Sequence, residues 1–264
     1  MRPIAELPDA ARMAIRGVLT DIDDTLSTGG RITAMAYAAM ERLRQAGLLV
    51  IPVTGRPAGW CDHIARMWPV DAVVGENGAL YMFRDTRSAV LRKCYADSDP
   101  DRRAARERVA GIAARILREV PGCAVASDQP YRDTDLAIDY CEDVAPLAPE
   151  SVDRIAALMR AEGMTSKVSS IHVNGWFGAH DKLTTTRTLL REVFAIDLEA
   201  ERTRFAFVGD SPNDAPMFEF FPISIGVANV RRFAARLETP PMYVTERESG
   251  AGFAELAAFL LAGR

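Results

Sequence analysis

The sequence predicts an α/β protein: a doubly wound, mostly parallel core sheet interrupted by a smaller inserted α+β domain. Two observations carry this expectation. In the first and last thirds, short continuous apolar stretches such as "LLVIPVTG" and "RFAFVGD" alternate with segments of helical periodicity. That is the pattern of parallel strands covered on both faces. Between residues 85 and 180 the pattern shifts to apolar–polar alternation, as in a sheet with one open face. The expected division is therefore 1–84 and 181–264 for the core and 85–180 for the insertion. A chain of 264 residues is long enough for such a pair of units.

The elements follow in order. "GVLTD" reads as a strand ending in acid. "TAMAYAAMERLRQAG" reads as a helix, with a threonine at its N-cap and a glycine at its end. "LLVIPVTG" is the next buried strand, a helix follows from Pro57 to Met67, and "DAVVGENGA" is a third strand with its loop. The insertion reads as a long helix, strands "CAVASD" and "DLAIDYC", a second helix, and strands "TSKVSS" and "IHVNG". The last third resumes with a helix from His180 to Phe194, strand "RFAFVGD", a helix from Pro212 to Phe220, strands "ISIGVA" and "MYVT", and a final helix.

Composition excludes several function classes. A chain 48% hydrophobic and 26% charged is ordinary for a globular protein. A net charge of −4 and a pI near 5.5 leave no basic footprint for nucleic acid. The apolar runs are too short to span a bilayer, and the N-terminus lacks an apolar signal core, so a cytoplasmic location is the expectation. Cys61, Cys94, Cys123 and Cys141 form no C-x-x-C pair and read as ordinary thiols. Only three of the 32 basic residues are lysine: Lys93, Lys167 and Lys182.

In open parallel sheets, function collects beyond the carboxyl ends of the strands. There the chain places Asp21 and Asp23 after the first strand, and Thr54, Gly55 and Arg56 after the second. Asp210 ends a later strand, with Asp214 four residues on, and Lys182 opens the helix that re-enters the core. Several acids, one hydroxyl and one ammonium suit phosphoryl transfer. A carboxylate can be the nucleophile, and a divalent cation offsets the repulsion between it and the incoming phosphate. Magnesium takes hard oxygen ligands. A hydroxyl and an ammonium can hold the remaining phosphoryl oxygens, and a second carboxylic acid can protonate the leaving group and then activate water.

"DIDDT", "VTGR", Lys182 and "GDSPND", in this order, resemble the four motifs of the haloacid dehalogenase-like superfamily. The insertion resembles the large α/β cap of its Cof-type and sugar-phosphatase branch. The resemblance covers nearly the whole chain. It implies a Rossmann-like core, with Asp21 as nucleophile and magnesium ligand and Asp23 as general acid/base whose backbone carbonyl reaches the metal. It implies Thr54 and Lys182 at the transferring phosphoryl group, and Asp210 and Asp214 at the metal. True dehalogenases lack the second aspartate, so Asp23 points to phosphate chemistry. Asp24 falls out of phase with its neighbours, where relatives often have glycine, and reads as a turn residue.

Plainer readings stand beside these. "GDSPND" has the residue types of a turn and helix cap, and Thr54 those of a strand. Lys182 alone would be a surface lysine, but its rarity in an arginine-dominated chain supports a specific role. In "SSIHVN", Ser170, His172 and Asn174 share one face and Ile171 and Val173 the other. The polar trio faces either the cleft, where it would meet substrate, or solvent. Asn77 in "GENGA" could touch substrate or simply form a tight turn, and Asp135 and Asp139 alternate on another strand of the insertion. The expectation is a magnesium-dependent phosphatase of a small phosphorylated metabolite, a sugar phosphate, acting as a monomer or homodimer. A hexose phosphomutase and a non-catalytic sugar-phosphate binder are the alternatives.

Overall fold

The computed structural model of the chain describes every residue except Thr86 and Ser170. Its centre is a six-stranded sheet in the order Arg2–Pro3, Tyr243–Val244, Ile223–Gly226, Phe205–Gly209, Gly17–Thr20, Leu49–Pro52. Every neighbouring pair in it is parallel. Residues along these strands alternate between two apolar layers. Val18, Val50, Ala206 and Val208 pack with helices Ala34–Gln45 and Ser249–Leu261. Leu19, Ile51, Phe205 and Phe207 pack with helices Lys182–Phe194 and Ala215–Phe220. Continuous apolar strands are thus explained: both faces are covered.

Local signals set several boundaries. Thr33 caps helix Ala34–Gln45 by accepting from the Ala36 N–H. Helix Lys182–Phe194 starts on a capping box: the Asp181 carboxylate accepts from the Thr184 N–H, and the Thr184 hydroxyl accepts from the Asp181 N–H. Lys182 is therefore pinned at the first helical position. Helix Ala215–Phe220 is shorter than the sequence pattern suggested, because Pro212–Asp214 form a separate 3₁₀ turn.

Strand Ala72–Gly75 joins the sheet edge through a parallel bridge between Val53 and Val74. It begins an antiparallel three-stranded sheet with Leu80–Arg84 and Leu91–Tyr95. Leu91 and Tyr95 pack on the core cluster, so this hairpin extends the core past residue 84. The second unit has an antiparallel sheet in the order Thr165–Val168, His172–Trp176, Leu136–Asp139, Ala124–Val125. Helices Asp99–Glu119 and Pro149–Ala161 cover one face of it with their own apolar cluster. The other face was expected to be open. Instead all of Leu136–Asp139 and His172–Trp176 is buried, because that face closes on the core.

One buried carboxylate joins the two units. Glu76, fully buried and in the left-handed region at φ 45°, follows strand Ala72–Gly75. It accepts from the N–H of Ala58 (2.9 Å), Asp133 (2.7 Å), Thr134 (2.8 Å) and Asp135 (3.3 Å), and from the Thr134 hydroxyl. A charge taken out of water is stable only when its oxygens are satisfied this way. Glu76→Gln should lower unfolding stability by about 2–4 kcal/mol, since an amide NH2 would face backbone donors. A urea midpoint equal to that of the parent would contradict this.

Candidate active site

Asp21 leaves the end of strand Gly17–Thr20, its N–H donating to the Val208 carbonyl at 2.9 Å. Lys182 Nζ donates to Asp21 Oδ1 at 2.8 Å and to Asp214 Oδ1 at 2.9 Å. The Asp210 N–H donates to Asp214 Oδ2 at 3.2 Å. Gly209 permits this crowding, because a Cβ there would lie 2.4 Å from the Asp214 carboxylate. Gly78, at φ 102°, lets the "GENG" turn press against the Asp181 carbonyl at the start of the lysine's helix. All four functional side chains are buried, at 0–6% exposure.

One carboxylate oxygen each from Asp21, Asp210 and Asp214 lie within 4.8 Å of one another. Three carboxylates face one ammonium. Burial, opposed by Lys182 but reinforced by Asp214 and Asp23, pushes the Asp21 carboxyl up to about 7. Burial and the charges of Asp21 and Asp214 push Asp210 well above the usual carboxylate range. Burial opposes the charge on Lys182, yet Asp21 and Asp214 outweigh it and raise its pKa. The cluster thus lacks positive charge equivalent to one divalent cation, and its all-oxygen donor set suits magnesium.

The neighbours refine the sequence reading. Asp210 Oδ1 accepts from the Thr25 hydroxyl and Oδ2 from Asn229 Nδ2, both at 3.2 Å. Asn229 also donates to the Asp24 carbonyl at 2.9 Å. Asp24 sits at φ 54°, a left-handed turn that explains why glycine suits this position. The Asp23 side chain stands apart from the acid cluster and takes a bidentate grip from Arg56, at 2.8–3.0 Å. Its carboxylate is therefore not with the other metal candidates. The Thr54 hydroxyl accepts from the Arg56 N–H at 3.0 Å, leaving its own proton for an incoming oxygen.

Asp21, Asp23, Gly55, Arg56, His172 and Asn174 all line one narrow cavity between the two units. Ser170 lies outside the described residues. Asn77 does not line this cavity: it lies in a left-handed turn, φ 55°, with its side chain against Gly55. Val173 packs under the cap helices, whereas Ile171, placed on the same face by the expected strand alternation, lines the cavity. The strand begins only at His172, so strand alternation does not reach Ile171. Asp135 is drawn into the site by Arg132 (3.0 Å) and Asn174 (3.0 Å), and burial pushes its carboxyl up to about 6.

Four contributors carried no usable sequence signal: Arg132, Glu142, Glu76 and Asn229. Arg132 Nη1 donates to the Gly55 carbonyl at 2.9 Å from across the cleft. Glu142 reaches Arg56 and His172. Only Glu76, inside "GENGA", stood within a stretch already singled out.

Carboxylates, a hydroxyl and an ammonium gathered at the strand ends of a doubly wound sheet suit phosphoryl transfer. A family model described as haloacid dehalogenase-like hydrolase matches residues 18–103. Fold, ordered motifs and this match make the chain similar to the haloacid dehalogenase-like hydrolases. A curated relative, phosphoglycolate phosphatase of Methanothrix thermoacetophila, is 28% identical over 244 residues, 92% of this chain and 95% of the relative. A solved structure from Thermoplasma acidophilum matches with a TM-score of 0.68 at 17% identity, covering 93% of this chain and 98% of that one. The sucrose-phosphatase of Synechocystis matches with a TM-score of 0.62 at 15% identity, covering 92% and 97%. Among the described residues no helix is long and apolar enough to cross a membrane.

A carboxyl whose pKa is raised on folding contributes stability fully below the ordinary carboxylate range and loses it as pH rises through the folded value. Asp21, at about 7, and Asp135, at about 6, act in the same direction. Metal-free protein should therefore lose thermal stability between pH 5 and pH 8, by about 1–3 kcal/mol. Magnesium should flatten that decline. An identical decline with and without the ion would count against the cluster as a cation site.

Proposed function

We propose that the chain is a magnesium-dependent phosphatase of a small phosphorylated metabolite, acting through an aspartyl-phosphate. The observation that carries this reading is Lys182 seated between Asp21 and Asp214 beside Asp210. When bound at Asp21 and Asp210, with Asp214 in support, magnesium would supply the positive charge that lets a phosphate dianion approach a carboxylate. Lys182 engages Asp21 Oδ1, which leaves Oδ2 to form the bond to phosphorus while the bond to the leaving oxygen breaks. The Thr54 hydroxyl and the Lys182 ammonium hold phosphoryl oxygens as charge develops. Asp23, whose carboxylate is held by Arg56 in this structure, would take up a proton when substrate loosens that grip and give it to the leaving oxygen. It then takes one from the water that attacks phosphorus, freeing inorganic phosphate and restoring Asp21.

The cavity is closed to substrate in this structure. Its free space is about 20 Å³, room for roughly one water, so the cap must open to admit substrate and close to exclude solvent. Polar groups on the cap face, Ser169, His172 and Asn174, suit sugar hydroxyls. The Synechocystis neighbour, solved with sucrose and phosphate, shares the fold. A second reading, a phosphorylated two-carbon acid, is favoured by the full-length relatives named phosphoglycolate phosphatase. Both relatives are phosphatases, which favours hydrolysis over isomerisation.

Phosphate release from hexose phosphates, glycerol phosphates and 2-phosphoglycolate, with magnesium and with chelator, tests the reading. Release should need the metal and favour one of these classes; metal-independent release would sink it. Asp21→Asn should cut turnover at least about a thousandfold, and Asp23→Asn about a hundredfold or more. Asp24→Asn, which tolerates the left-handed turn, should stay within about threefold of the parent. Equal damage at positions 23 and 24 would show that the two acids are not divided as described.

A further inference from the structure

The loop that carries Glu142 is built rather than loose. The Asp139 carboxylate, at the end of strand Leu136–Asp139, accepts from the N–H of Cys141 (2.9 Å), Glu142 (2.8 Å) and Asp143 (2.8 Å). This turn aims Glu142 at the core. Oε1 lies 3.1 Å from Arg56 Nη2, and Oε2 lies 2.8 Å from His172 Nε2. Arg56 and His172 line the catalytic cavity; Glu142 does not, and stands behind them with its side chain 29% exposed. The contact with His172, against the cost of partial burial and with help from Arg56, holds the Glu142 carboxyl down at about 2. It is therefore charged throughout the working range.

The charges around the leaving-group side do not balance in favour of a second anion. Arg132 is engaged by Asp128 and Asp135, and Arg56 by Asp23 and Glu142, with Asp128 at 3.6 Å. Two guanidiniums thus meet four carboxylates. An entering carboxylate would have to compete with these internal partners and face their repulsion. What else the wall presents is uncharged: the Ser169 hydroxyl, which donates to the His172 carbonyl, Asn174, which donates to Asp135, and Asn213, which accepts from Ser211.

We propose that Glu142 is a specificity-determining residue. By occupying Arg56 and His172 with an internal carboxylate, it makes the cavity disfavour an anionic leaving group and accept an uncharged, hydroxyl-bearing one. This rests on the phosphatase reading and deepens it by choosing between its two substrate classes.

The test is a ratio. Purified full-length parent and Glu142→Gln are assayed with magnesium on 2-phosphoglycolate and on glucose 6-phosphate. Removing one charge near the leaving group should raise the acid-to-sugar ratio of kcat/KM roughly tenfold. A general loss of folding or catalysis cancels in that ratio, and Glu142→Ala, read the same way, serves if the glutamine variant is insoluble. A ratio unchanged or shifted toward the sugar in active variants overturns the role of Glu142 while leaving the phosphatase reading intact. A parent that releases phosphate from neither substrate nor any other phosphomonoester overturns both.

Discussion

The structure depends on one ammonium. Lys182 lies 161 positions from Asp21 along the chain, yet its Nζ is within 2.9 Å of both Asp21 and Asp214. Without it, three buried carboxylates at neighbouring strand ends would repel one another with no internal relief. Much of the local architecture serves to deliver that side chain. The Asp181–Thr184 capping box sets the helix start, and the Gly78 turn supports it from below. The inserted unit can interrupt the core because its two connections come back together, with His180 Nδ1 2.9 Å from Asp97.

The cap is fastened to the core through buried polar contacts more than through apolar ones. Its apolar cluster faces its own helices, away from the cleft. The contacts across the cleft include Glu76 with residues 133–135, Arg132 with the Gly55 carbonyl, and Glu142 with Arg56. Such contacts are strong when dry and easily exchanged with water when the cleft opens. Contacts of this kind let two units part and rejoin, as the proposed function asks of the cap.

The same logic gives Asp23 and Glu142 a shared partner. Arg56 holds the carboxylate next to the reacting centre with one edge and meets the cap with the other. Its guanidinium also lies over the Trp60 ring, 4.5 Å from the centroid, which restrains it further. A planar fork with several donors can serve both sides at once; a lysine could not.

The core and its strand-end acids were legible in the chain alone, because their causes are local. Apolar runs such as "LLVIPVTG" commit to buried parallel strands, and the residues that follow a strand must lie at its carboxyl end. Asp21, Thr54 and Asp210 needed no further information, and Asp24 was separated from Asp21 and Asp23 by phase. Other features arise only when distant surfaces meet. Whether His172 and Asn174 face solvent or a cleft depends on the cap sheet closing over the core. Ile171 reaches the cavity because the strand begins only at His172. Arg132, Glu142, Glu76 and Asn229 look like ordinary loop residues, and each acquires its role from a partner brought near by folding: 77, 86, 57–59 and 19 positions away. Sequence determines which side chains a strand end presents; tertiary structure alone decides which charges face one another across the cleft, because that depends on how two separately built surfaces meet.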